Sequence, residues 1–152
     1  MLTQVQLEAF EKLSPIPEML EHDVLKRGIK TGSAVYGGFV DGSSDIDILM
    51  NQDTMNFTIE DYAPHAIGPA GAGNSGGDNA DTRSLIVKCS TITDPMNIIF
   101  CRDAEVFRAW VDTTNCLILM SKLSEELRNL MQSRAVRVAI FYAIRTTLLE
   151  EK

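Results

Sequence analysis

The sequence predicts an α+β domain of the α/β class, and three observations carry that expectation. Apolar residues recur at helical spacing near both ends of the chain, over 4–13 and 124–149. Between them lie short runs with the signature of strands, at 45–49, 84–89 and 96–101. Glycine, proline and small polar residues punctuate the intervals between these runs.

At 152 residues the chain is long enough to bury a core without disulfide staples, and it reads as a single domain over 1–152. No apolar run reaches the length of a membrane span, so no membrane association is expected. The start Met1-Leu2-Thr3-Gln4 shows neither a basic region nor a secretory apolar core, which makes a cytoplasmic location the expectation. Cys89, Cys101 and Cys116 are odd in number, scattered and in apolar contexts, and read as free buried thiols. His22 and His65 are too few and too far apart for a His-based metal site. The net charge of −7 argues against strong general nucleic-acid binding.

In chain order, Val5, Leu7, Phe10 and Leu13 recur on one side of a helix that Ser14-Pro15-Ile16-Pro17 ends. A second helix from about 17 to 26 carries Met19, Leu20, Val24 and Leu25 and stops at Gly28. Ala34, Val35 and Tyr36 suit a short buried strand delivering a turn at Gly37-Gly38, and a polar loop follows over 41–44. Asp45-Ile46-Asp47-Ile48-Leu49 alternates carboxylate and aliphatic with a period of two. The segment 57–62 is either a short strand or the start of a helix.

Half of the chain's ten glycines fall between Gly68 and Gly77. A segment of that composition cannot offset its ordering entropy by burial, so 67–80 reads as a flexible glycine-rich loop. It contains no P-loop pattern and no lysine, which favours a plain hairpin tip over a phosphate-contacting lid.

Ser84 to Cys89 reads as a strand, and Met96 to Cys101 as its partner across Thr93-Asp94-Pro95. A short helix over 103–111 has Asp103 as N-cap, with Phe107 and Trp110 on one face and Trp110 in the core. The apolar run 116–120 reads as a strand buried on both faces, with a helix as the alternative. The longest helix is expected over 124–149, started by Ser124 with Glu125 and Glu126. Val136, Val138, Ile140, Phe141 and Ile144 surround it. On that helix Arg134, Arg137 and Arg145 fall within about 80° of one another at roughly 100° per residue. Such a cluster can aim cations at phosphates, but ion pairing with the surplus acidic residues is the preferred reading.

The chemistry concentrates at 45–49. Alternate side chains of a strand share a face, so Asp45 and Asp47 point one way and Ile46 and Ile48 the other. Two neighbouring carboxylates repel each other, and a hard divalent cation with oxygen ligands is the usual partner between them. The bland alternative is an acidic hairpin with a solvated face.

Strand, paired glycines, short gap and Asp-x-Asp together resemble the nucleotidyltransferase superfamily that includes DNA polymerase beta and the tRNA CCA-adding enzymes. Gly37-Gly38-Phe39-Val40-Asp41 also looks like the Gly-Gly-x-Val-Arg-Asp of the CCA-adding class, with the Arg missing. The order of elements over 97–120 is loosely similar to phage and viral proteins of that fold. The resemblance implies a minimal nucleotidyltransferase fold, a mixed β-sheet flanked by helices, with two early helices on the sheet's back. It implies Mg²⁺ or Mn²⁺ on Asp45 and Asp47, and Gly37, Gly38, Ser43 and Ser44 at the phosphates of an NTP. Two registers are open for the glycine turn. Gly37-Gly38 is preferred because an apolar strand delivers it; Gly32-Ser33 has the more usual spacing but follows a poor buried strand. The family's third carboxylate falls by register on Asn97, whose amide ligates weakly and takes no proton at neutral pH. Asp94, just before that strand, is a possible substitute.

Two functions follow from the resemblance. One is metal-dependent transfer of a nucleoside monophosphate from an NTP to an acceptor hydroxyl on a protein, a small molecule or an RNA end. A chain this short has no room for a separate RNA-binding domain, which favours a protein or small acceptor, or one supplied by a partner subunit. The other is a catalytically incomplete binding protein of the same fold, such as a viral or accessory protein that engages a host protein. A plain structural domain with a solvated acidic strand is the third and weakest reading.

Overall fold

The computed structural model describes residues 2–39, 44–67 and 81–150. The first helix, α1 (Gln4–Glu11), starts at Thr3 through a capping box: Gln6 N donates to Thr3 Oγ1 at 3.1 Å and Thr3 N to Gln6 Oε1 at 2.9 Å. After the proline-rich break comes α2 (Glu18–Arg27), which ends where Gly28 N donates to Val24 O. Both helices fall where helical spacing and the proline break place them.

Four strands form one sheet: β1 (Ile29–Thr31), β2 (Ile46–Asn51), β3 (Thr82–Val87) and β4 (Met96–Cys101), in the order β1-β2-β4-β3. β1 runs antiparallel to β2, β2 parallel to β4, and β3 antiparallel to β4. The sheet is therefore mixed, and helices cover both faces, as expected of the α+β class. Ile48, Met50, Ile98 and Phe100 join Leu20, Val24 and Tyr62 in one core. Leu49, Ile99 and Cys101 join Trp110, Leu117 and Phe141 in the other. Burial on both faces explains why β4 is apolar almost throughout.

Around the sheet lie α3 (Ser33–Tyr36), α4 (Ile59–Tyr62), α5 (Ala104–Leu123), α6 (Glu125–Leu130) and α7 (Arg134–Glu150). A capping box of Thr58 and Asp61 decides 57–62 in favour of the helix α4. The loop between β3 and β4 is fastened to α2 by Glu21, which accepts from Ser90 N at 2.6 Å and Thr91 Oγ1 at 2.8 Å. Burial pushes the Glu21 carboxyl up, but the bonds from Thr91 and Ser90 outweigh it and hold the group below the usual carboxylate range.

Four expectations need correction. Ala34, Val35 and Tyr36 form a helical turn, not a strand: Val35 N and Tyr36 N donate to Gly32 O, and Gly37 N to Ser33 O. Only Tyr36 of the three is buried, which suits a turn better than a buried strand. The strand before it is β1, on the edge of the sheet, where exposed Ile29 and Lys30 are tolerated. Second, 116–120 belongs to α5, which extends far beyond 111. The Thr113 and Thr114 hydroxyls donate to the carbonyls of Ala109 and Trp110 at 2.7 and 2.8 Å, so these buried threonines are satisfied inside the helix. Third, the long helix over 124–149 is divided into α6 and α7, and α5 is the longest helix. At the break Arg137 Nη1 donates to Met131 O at 2.7 Å and Gln132 O at 3.3 Å, which satisfies carbonyls that the interruption frees. Fourth, all three cysteines are free, but only Cys89 and Cys101 are buried; Cys116 is exposed on α5. The glycine-rich segment lies outside the described residues except for Ile67, which pairs with Ile86 of β3. Among the described residues no helix is long and apolar enough to cross a membrane.

Trp110 joins the sheet to α7, with its ring 5.0 Å from Phe141 between centroids. Trp110→Ala is expected to cost about 3–5 kcal/mol of stability, read by urea unfolding. A loss under about 1 kcal/mol would show that the α5–α7 layer is not part of the cooperative core.

Candidate functional site

The register of three strands brings the site together. Asp47 on β2 is paired with Thr31 of β1 on one side and with Asn97 of β4 on the other. Asn97 Nδ2 donates to Asp47 Oδ1 at 3.1 Å and fixes the carboxylate's orientation. Asn97 is 2% exposed, and its own Oδ1 has no hydrogen-bond partner among the described residues. Asp45 and Ser44, just ahead of β2, are both buried. The strand begins where Ile46 N donates to Pro95 O at 2.8 Å.

Gly32 closes the other side. It follows β1 at φ +76°, a conformation that favours glycine, and a Cβ built there would collide with Asp47 Oδ2. The main chain thus approaches the carboxylate as no other residue would allow. Thr31 and Thr114 hydroxyls hydrogen-bond at 2.6 Å, anchoring the end of β1 to α5 immediately before this turn.

Electrostatics follow from the crowding. Burial, and then the charge of Asp45, push the Asp47 carboxyl well above the ordinary carboxylate range; the Asn97 hydrogen bond and the positive charge of Arg134 oppose them. Burial and the charge of Asp47 also raise the Tyr36 phenol, against the pull of Arg137. Burial lowers Arg137, while Tyr36 and Asp47 act to raise it. Asp45, Asp47, Tyr36, Arg134 and Arg137 therefore share one electrostatic neighbourhood, where the start of β2 meets α3 and the start of α7.

Of the predicted site residues, Asp45, Asp47, Asn97 and Ser44 occur at or beside this end of β2. Ser43 lies outside the described residues. Gly37 and Gly38 follow a helical turn instead of the strand that was to deliver them. Both have positive φ, and both pack on the α6–α7 junction: a Cβ on Gly38 would collide with the Arg137 guanidinium, and one on Gly37 would lie 3.2 Å from Gln132 Nε2. The glycine that follows a strand and stands against Asp47 is Gly32, of the alternative Gly32-Ser33 register. Asp94 is half-buried ahead of β4.

The three arginines separate. Arg134 and Arg137 act on Asp47. Arg145 is buried further along α7, paired with Asp81 at 3.3 Å and stacked over Trp110 and Tyr142. Tyr36 is the participant that sequence reasoning missed, while Gly32 belonged to the register that it weighed and did not prefer. The signal for Gly32 was its Gly-Ser spacing to Asp45.

The donor set suits a hard cation: two carboxylates and a buried amide oxygen without a partner among the described residues, all oxygen. Among the described residues, no group of three or more His, Cys, Asp or Glu stands together to hold a metal. No protein-family model matches the sequence, and no curated protein or solved structure matches the chain.

A carboxyl raised in the folded state contributes stability that is complete below its unfolded value and is lost as pH rises through the folded one. Asp47→Asn removes that loss. In metal-free buffer the variant should melt above the parent chain at about pH 8, and the two should converge below about pH 4. Thermal unfolding across this range checks it, and a variant that melts lower at pH 8 contradicts it.

Proposed function

We propose that the chain binds an NTP with Mg²⁺ or Mn²⁺ at Asp45 and Asp47 and transfers the nucleoside monophosphate to an acceptor hydroxyl. The observation that carries this reading is Asp47 itself: half-buried next to the buried Asp45, oriented by Asn97, and faced by a glycine backbone that leaves room for its oxygen. Carboxylates this close in sequence and space repel each other, and a cation held by both would offset that repulsion. The resemblance to the nucleotidyltransferase superfamily adds the substrate class. In this reading the Gly-Ser turn at Gly32-Ser33 joins Gly37, Gly38, Ser43 and Ser44 as a candidate phosphate contact.

A bound divalent cation supplies charge neutralisation on the phosphates and on the departing pyrophosphate. Asp45 and Asp47 would hold it, and Asn97 keeps Asp47 in one orientation. Arg134, whose charge already reaches Asp47, offsets the negative charge of the triphosphate. In the transfer, a bond would form between the acceptor oxygen and the α-phosphorus, the bond to the β-phosphate oxygen would break to release pyrophosphate, and the acceptor's proton would pass to solvent water. Asn97 cannot accept the acceptor's proton, so β4 supplies no general base.

That same observation favours a second reading, a nucleotidyltransferase-like protein that is catalytically incomplete and engages another protein. Isothermal titration with Mg²⁺ or Mn²⁺ and each NTP comes first. Micromolar, metal-dependent binding that is lost in the Asp45→Ala/Asp47→Ala variant supports a nucleotide site. No binding at millimolar nucleotide removes it. Incubation with labelled NTP and cell extract then separates the two readings: a labelled acceptor supports transfer, and binding without labelling supports the incomplete protein.

A further inference from the structure

Asn97 has a consequence for how many cations the site holds. Sites that activate an attacking oxygen and stabilise a leaving one with two metal ions place them about 3.5–4 Å apart, and carboxylates offset the charge between them. Here the strand neighbours of Asp47 are Thr31 and Asn97, and neither is charged.

We infer that the site at Asp45 and Asp47 takes one divalent cation and not two, and that Asn97 sets this limit. The inference rests on the cation-site reading above. Three features support it. Asp45 and Asp47 together balance one dication, and a second would add two positive charges in a part-buried setting where the strand neighbours of Asp47 offer no further carboxylate. The charges of Arg134 and Arg137 already act on Asp47, adding to that excess. A second ion at Asp47 would have to share Oδ1 with the Asn97 Nδ2 hydrogen bond, 3.1 Å long, or share Oδ2 with the first ion. What Asn97 can offer a cation is its buried Oδ1, unpartnered among the described residues, a neutral oxygen that adds a ligand without adding charge.

Mn²⁺ alone is the probe. The free-ion electron paramagnetic resonance signal is followed during titration of the whole chain, of the Asp45→Ala/Asp47→Ala variant and of Asn97→Asp, each checked for folding by circular dichroism. The native chain is expected to bind one more Mn²⁺ than the double variant, with no exchange-coupled spectrum. Asn97→Asp is expected to bind a second ion close enough for coupling. Asn97→Ala provides a companion that adds no charge: it keeps the count at one and weakens binding by roughly 10–100-fold, the usual cost of losing an orienting neighbour. Two coupled ions in the native chain, or a count that stays at one in folded Asn97→Asp, overturns the inference and leaves the cation site standing. An equal count in the native chain and the double variant overturns the cation site, and this inference with it.

Discussion

The repulsion between Asp45 and Asp47 is the constraint on which the site depends. β2 is a central strand with a core on each face, an environment that favours Ile48, Leu49 and Met50 and penalises a charge. The protein nevertheless orients Asp47 with an amide from β4 and brings a glycine main chain against it from β1. A solvated acidic hairpin would need neither. Strand pairing determines this arrangement, because a shift of one residue between β2 and β4 would place Ile98 opposite Asp47 and turn the amide away.

The remainder of the fold keeps this end of the sheet rigid. Glu21 holds the loop that leads into β4, so Asn97 arrives in register. The Thr31–Thr114 bond ties the edge strand to α5 just ahead of Gly32. Arg137 bonds the carbonyls of the α6–α7 break and packs its guanidinium against Gly38, the residue that follows α3 and Gly37. Arg145 plays a different part, as a buried cation between two aromatic rings and Asp81 in the packing between α7 and the end of β4. Arginines that the helical wheel groups together are thus divided between the site and the core.

Much of this was legible in the sequence for a simple reason. β2, β3 and β4 are marked by periodicity or two-sided burial, both of which depend on local composition, so β2 and β4 and the facing of Asp47 could be read directly, β3 lies two residues earlier than expected, and Asn97 was singled out only by the resemblance. The misread elements are those that tertiary contacts decide. A three-residue apolar run such as Ala34-Val35-Tyr36 has no period, and the positive φ of Gly32 starts a helix there. Thr113 and Thr114 resemble a polar interruption until their hydroxyls are seen to bond within α5. The break at Met131, Gln132 and Ser133 contains neither glycine nor proline; a side chain six residues from Met131 satisfies its carbonyls. β1 was discounted as a poor buried strand, but an edge strand need not be apolar.

The site's central claim is that two acidic side chains are held together because a cation belongs between them. Anomalous diffraction from crystals of the chain grown with Mn²⁺ tests it most directly. The account predicts a single strong peak within coordination distance, about 2.0–2.4 Å, of carboxylate oxygens from both Asp45 and Asp47. Peaks confined to other acidic residues, with these two carboxylates turned apart towards solvent, would contradict it.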